Sequence, residues 1–165
     1  MRFLRVLRHL VIPPWRVRLA FPAHTLRAVE MAIRECEATH AGQIRFAVEN
    51  ALNPSALWRH QTARERALDV FSQWRVWDTE HNNGVLIYLL LADHDVEIIA
   101  DRGVHARVGG EAWEKICREM EALFRQGKFE AGVLHGIHEV SKQLVRFYPS
   151  RGPGPNELAN RPVVL

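Results

Sequence analysis

Cysteine is nearly missing from this chain of 165 residues: Cys36 and Cys117 are too few and too widely spaced to staple a small domain or to build a zinc site. Each falls inside a helical pattern, where a buried structural thiol is expected. Long hydrophobic runs are missing too. The apolar stretch Val85 to Leu91 is seven residues, far short of a membrane span. There is no glycine-rich phosphate loop, no Gly-x-Ser-x-Gly elbow and no cysteine followed by an anion-cradling arginine loop, so the common nucleotide-binding, serine-hydrolase and cysteine-phosphatase patterns are not carried. No internal repeat is visible. An excess of positive charge is confined to one end. Residues 1–18 hold Arg2, Arg5, Arg8, Arg16 and Arg18 with no acid, which leaves 17 basic against 19 acidic side chains elsewhere. A body so close to neutral argues against a general nucleic-acid binder, and no nucleic-acid partner is expected.

The chain is organised around residues 82–103. Asn82-Asn83-Gly84 is turn chemistry, and Val85 to Leu91 is apolar at every position, as in a central strand covered on both faces. Asp93-His94-Asp95 reverses the chain, because Asp and His tolerate turn conformations. Val96 to Ile99 then returns as an antiparallel strand.

Helical patterns flank this hairpin. A helix is expected from about Thr25, taken as its N-cap, with Leu26, Val29, Ile33 and Cys36 on one face. Ala41-Gly42 ends it, and Gln43 to Val48 reads as a strand with Ile44, Phe46 and Val48 on one side. Asn53-Pro54 opens a loop, and Thr62-Ala63-Arg64-Glu65 has the spacing of a capping box. Residues 102–110 read as a loop. Two further helices follow, from about Glu111 and from Phe129, the second stopped by Pro149. His135 and His138 stand three apart on that last helix, but nothing nearby completes a metal site.

Strands interleaved with helices predict an α/β fold: a three-layer αβα sandwich with a small mixed sheet and helices on both faces. Three regions are expected: a basic amphipathic leader over residues 1–20, a domain over 21–149, and a disordered tail over 150–165, where Pro, Gly and Asn are frequent and periodicity is absent. In the leader, Arg2, Arg5, Arg8 and His9 fall on one side of a helix, with Leu4, Leu7, Leu10 and Val11 on the other.

Four segments in order carry a family resemblance. They are the helix leading into Ala41-Gly42-Gln43-Ile44, the lead-in Asn82-Asn83-Gly84-Val85-Leu86-Ile87, the stretch Val96-Glu97-Ile98-Ile99-Ala100-Asp101-Arg102-Gly103, and Phe124-Arg125-Gln126-Gly127-Lys128-Phe129-Glu130-Ala131-Gly132-Val133. Together they span about residues 25–147, and they resemble the TPM-domain family, named for a thylakoid lumen protein, a photosystem II repair protein and a nematode acetylcholine-receptor modulator. The resemblance implies an αβα sandwich. It also implies a divalent-cation site, for calcium or another such ion, built from acidic and amide side chains near the start of the central strand and after the hairpin. Here those positions offer Asp78, Asn83, Asp101 and Glu111 as metal ligands. Val108-Gly109-Gly110 stands where many members carry a further acid.

Two functions from different classes follow. The first is a non-catalytic interaction module held near a membrane, its partner a membrane protein or an anionic membrane surface engaged through residues 1–18, at the cytoplasmic inner face. The second, implied by the resemblance, is a divalent-cation-dependent acid phosphatase with Asp101, Arg102 and His105 as candidate catalytic residues.

Overall fold

The computed structural model describes residues 2–150, 152 and 156–165. Four strands lie among them: β1 (Gln43–Glu49), β2 (Gly84–Leu90), β3 (Asp95–Ala100) and β4 (Val163–Val164). They form one sheet in the order β3-β2-β1-β4. β1 runs parallel to β2 and to β4, whereas β2 and β3 are an antiparallel hairpin. The helices are α1 (Arg2–Val11), α2 (Arg16–Ala20), α3 (Ala23–Glu37), α4 (Pro54–Trp58), α5 (Ala63–Gln73), α6 (Arg102–Val108), α7 (Gly110–Arg125) and α8 (Phe129–Phe147).

Side chains of a strand alternate between faces, so an unbroken apolar strand needs a core on each side. β2 has both. Val85, Ile87 and Leu89 join the core formed with α3, α7 and α8, including Ile33, Met120 and Ile137. Leu86, Tyr88 and Leu90 join the second core, with Leu57 of α4 and Ala67 and Val70 of α5. This is the expected αβα sandwich with a mixed sheet. α5 starts with the full capping box: Glu65 N–H donates to the Thr62 hydroxyl, and Thr62 N–H donates back to the Glu65 carboxylate.

Four details differ from the sequence reading. α3 begins at Ala23 with Pro22 at its N-cap, and Thr25, inside the helix, donates its hydroxyl to Glu130 instead of capping. Residues 102–108 are helix α6, not loop, because Asp101 caps it and Gly109, at φ 84°, breaks it from α7. A seven-residue helix is too short to announce itself by periodicity.

The leader, thirdly, is built into the domain. Val17 lies in the first core with Ala20 packed against it, and α1 is docked through His9, which is buried. Finally, the tail is ordered where it is described. β4 pairs with Ala47 and Val48, Glu157 and Leu158 N–H both donate to Gln43 Oε1 (3.0 and 3.1 Å), and Asn160 donates to Glu37. These ties are polar and made to β1 and α3, so the tail's own composition does not reveal them. Residues 151 and 153–155 of the expected tail lie outside the described residues. No helix among the described residues is long and apolar enough to cross a membrane.

Candidate functional site at the strand ends

β1 and β2 begin, and β3 finishes, at one end of the sheet. Asn83 pins this end together. Its N–H donates to the Thr79 hydroxyl (3.0 Å), its side-chain amide donates to the Ala41 carbonyl (2.8 Å), and its carbonyl accepts from Gln43 N–H (3.2 Å). Next to it, a Cβ on Gly84 would stand 1.9 Å from the Val76 carbonyl oxygen, so only glycine fits the lead-in. Asp101 N–H donates to Gly84 O at 2.9 Å, closing the hairpin ladder, and one Asp101 carboxylate oxygen accepts from Arg102 N–H at 2.6 Å to start α6.

Both side chains are buried, and each keeps one oxygen, Asn83 Oδ1 and Asp101 Oδ2, with no hydrogen-bond partner in the protein. Burying an unmatched polar atom is costly, so each of these oxygens is individually a candidate donor to a cation. The other two expected ligands are not gathered with them. Asp78 is exposed and faces the Arg75 guanidinium at 3.9 Å, and Glu111 sits exposed on the first turn of α7. Among the described residues, no three His, Cys, Asp or Glu side chains cluster as a metal site. Calcium takes six to eight oxygens, so a cation at Asn83 and Asp101 would complete its shell mostly from backbone carbonyls and water.

A cleft of about 660 Å³ opens at the same end, lined by His81, Asn82, Arg102, Arg107 and Tyr148 among others. Arg107 is held in place: it donates to the Phe147 carbonyl at 3.0 Å, and its guanidinium lies 4.8 Å from the Tyr148 ring centre. Gly103 forms part of the wall, where a Cβ would come within 2.7 Å of Asn82 O and 2.8 Å of the Tyr148 hydroxyl. No carboxylate is among its described lining residues, so its charge favours an anion.

Of the three candidate catalytic residues, Arg102 lines both this cleft and a neighbouring groove of about 720 Å³ that follows β3 past Trp113; His105 lines only that groove, and Asp101 is buried and lines neither. The sequence places Arg107, like Arg102, to meet a phosphate, and both line this cleft; Tyr148 and His81 were not expected to take part. The Phe147-Tyr148-Pro149 helix stop was the signal that chain from α8 returns to this end. The histidines of α8 do not converge: His135 pairs with Glu119 at 2.7 Å, and His138 faces the Leu134 carbonyl of its own helix.

At the opposite end of the sheet stands α1. Its polar side is turned inward, onto the β2–β3 turn. Arg5 Nε meets Asp93 Oδ2 at 2.8 Å and Arg8 pairs with the same carboxylate. His9 Nδ1 accepts from Leu52 N–H at 3.0 Å, while its Nε2 lies 3.1 Å from Asp93 Oδ2. Burial alone would push the Asp93 carboxyl up, but His9 and Arg5 outweigh that and hold it well below the usual carboxylate range. The apolar side faces solvent. Phe3, Leu4, Leu7, Leu10 and Val11 are exposed on α1, and Trp15 and Leu19 follow on and beside α2.

A three-layer αβα domain with an electropositive cleft at its strand ends is therefore the class. The TPM-domain family model matches residues 20–143, and the chain belongs to that family. Among solved structures, the BA42 protein from the psychrophilic bacterium Bizionia argentinensis is 28% identical with a TM-score of 0.77, over 87% of this chain and 94% of that one. The N-terminal domain of a protein from P. gingivalis shares the fold at 15% identity and a TM-score of 0.65, over 86% and 95% of the two chains. No curated protein matches the chain.

Proposed function

We propose that this TPM domain is a non-catalytic module held on an anionic membrane surface by α1 and α2. The observation that carries the reading is the outward apolar row of α1. Amphipathic helices of globular domains turn their apolar side to the core. Here that side is left in solvent, with Phe3 77% and Val11 68% exposed. The row carries Phe3, and exposed Trp15 follows just before α2; aromatic and leucine side chains of this kind suit the boundary between headgroups and acyl chains. Arg16 and Arg18 beside it are exposed, and no acid occurs before Glu30, so the charge around the row complements anionic lipid. β2 spans roughly 20 Å between the two ends of the sheet, so a domain resting on α1 would present its cleft away from the bilayer.

The test is sedimentation of the full chain with vesicles of phosphatidylglycerol and phosphatidylcholine, compared with a variant carrying Leu7→Glu and Leu10→Glu. Both leucines are exposed, so the fold is spared. Wild-type binding that the variant loses supports the reading. Equal sedimentation of the two, or a wild-type chain that ignores vesicles and forms dimers instead, overturns it.

A second reading, a divalent-cation site, is favoured by the two unmatched oxygens of Asn83 and Asp101. A bound cation would supply Lewis-acid polarisation of a ligand in the adjoining cleft, and Arg102 and Arg107 would orient its anionic group. Calcium and manganese titrations followed by amide NMR test it: saturable shifts confined to residues 79–84 and 101–103 are expected, and none at millimolar metal excludes the site.

A further inference from the structure

We propose that Asp93 is the positioning residue of the membrane anchor, an inference that rests on the membrane reading above. This one carboxylate at the β2–β3 turn gathers three side chains from successive turns of α1: Arg5, Arg8 and His9. Two neighbouring loops complete the seat. Leu52 N–H donates to His9 Nδ1, and Arg5 Nη1 donates to the Gln61 carbonyl at 3.1 Å. Asn50, at the end of β1, donates to the Pro13 carbonyl at 3.3 Å and fixes the chain as it leaves the helix.

These polar contacts lie on one side of α1, where half-buried Val6 also packs against the second core, and this determines what the outward apolar side does. A ten-residue helix is marginal in water on its own. Without a partner for its polar side, α1 has two alternatives: to unwind, or to roll and cover its leucines against the domain. Either one removes the apolar row from the bilayer's reach. Docked on Asp93, the row is already helical and already points outward, so binding lipid need not supply the ordering entropy. Arg5 and His9 are thereby occupied by the domain, which leaves Arg16 and Arg18 as exposed cations for lipid headgroups.

The position of Asp93 makes the proposal separable from general folding. It lies beyond the last residue of β2, outside both cores. Asp93→Asn keeps the size and removes the charge that attracts the two arginines and His9. Arg5→Gln breaks the same pair from the helix side, and Arg5 faces inward, so its loss subtracts little from any lipid contact.

The experiment measures partitioning of the full chain, of Asp93→Asn and of Arg5→Gln onto vesicles of equal parts phosphatidylglycerol and phosphatidylcholine. Hydrogen exchange of α1 and β2 amides is followed in the same samples before lipid is added. Both variants are expected to bind at least about tenfold more weakly, as the binding-competent fraction falls. Protection in α1 should be lost while protection in β2 is kept. If the wild type binds and both variants bind equally well, Asp93 does not position the anchor and the membrane reading stands. If the variants bind more tightly, the proposal is overturned and Asp93 is a clasp that restrains α1. If the wild type does not bind, the membrane reading itself falls, and this inference with it.

Discussion

The Tyr88 hydroxyl donates to the Glu49 carboxylate at 2.8 Å from β2 to β1, inside the second core, and Arg66 of α5 donates to the same oxygen at 2.8 Å. Glu49 is thus a buried charge with two donors, one from the sheet and one from the helix layer above it. Burial, together with the charge and hydrogen bond of Glu49, holds the Tyr88 phenol far above its ordinary range, so it remains a donor at any working pH.

Tyr88→Phe removes one donor and leaves the Arg66 pair in place, at a cost of about 1 kcal/mol. Glu49→Ala leaves the tyrosine hydroxyl and the arginine unmatched and should cost about 3 kcal/mol or more. Urea unfolding of both variants checks the order. Equal losses would mean that Glu49 is solvated and that the link between layers is not electrostatic.

Gly84→Ala is expected to be far more damaging than a surface change of the same size. Its methyl would enter the Val76 carbonyl at 1.9 Å, and both neighbours are backbone that cannot swing aside. The start of β2 would have to shift, together with Asn83 and its bonds to Thr79 and Ala41. A loss of about 3 kcal/mol or more is expected, read as a fall in the thermal midpoint with the Asn83 amide proton losing protection. A change under about 1 kcal/mol would show that the lead-in is pliable.

What the sequence revealed follows from the range of the forces involved. β2 is legible because seven apolar residues in a row leave a strand no solvent-facing side. The Thr62–Glu65 box and the apolar period of α8 are legible because their partners sit within one or two turns. Asn83 and Asp101 come from the family resemblance, which implies cation ligands near those strand ends, but whether Asp78 and Glu111 would join them depends on loops that local pattern does not describe. The orientation of α1 was out of reach for the same reason. Its amphipathic pattern defines two sides, and Asp93, 88 positions away from Arg5, decides which one faces inward. The C-terminal segment ahead of β4 is held through Glu157 and Asn160 by Gln43 and Glu37, more than 110 positions away.

The tie between Glu37 and the C-terminal segment predicts a pH dependence. Burial pushes the Glu37 carboxyl up from its ordinary 4.5 to about 7, only partly offset by the Ile44 N–H and by Asn160. The folded protein therefore holds a proton that the unfolded chain releases near pH 4.5. Stability from this group is fully present below that value and is lost as pH rises through about 7, at up to about 1.4 kcal/mol per pH unit. His40 acts in the opposite sense: burial lowers it from 6.5 to about 4, so its contribution is present above pH 6.5 and is lost as pH falls through about 4. The difference between wild type and Glu37→Gln in thermal melts from pH 5 to pH 8 isolates the first effect. The wild type should lose stability relative to the variant as pH rises, and parallel curves would rule the shift out.

Asp101 serves two ends with two oxygens, and substitution can separate them. Its Oδ1 accepts from Arg102 N–H and caps α6, whereas Oδ2 is the unmatched atom. Asp101→Ala removes both and should cost about 1 kcal/mol through the lost cap. Asp101→Asn keeps an acceptor for the cap, so stability should change by less than about 0.5 kcal/mol, but it removes the negative charge that a divalent cation needs. If the cation site exists, both variants lose the calcium-induced amide shifts, and only the alanine variant melts lower. If the wild type shows no such shifts, and Asp101→Asn raises the melting point, Oδ2 is an electrostatic liability rather than a ligand. Asp101 would then be fully explained as the cap that turns the end of β3 into α6.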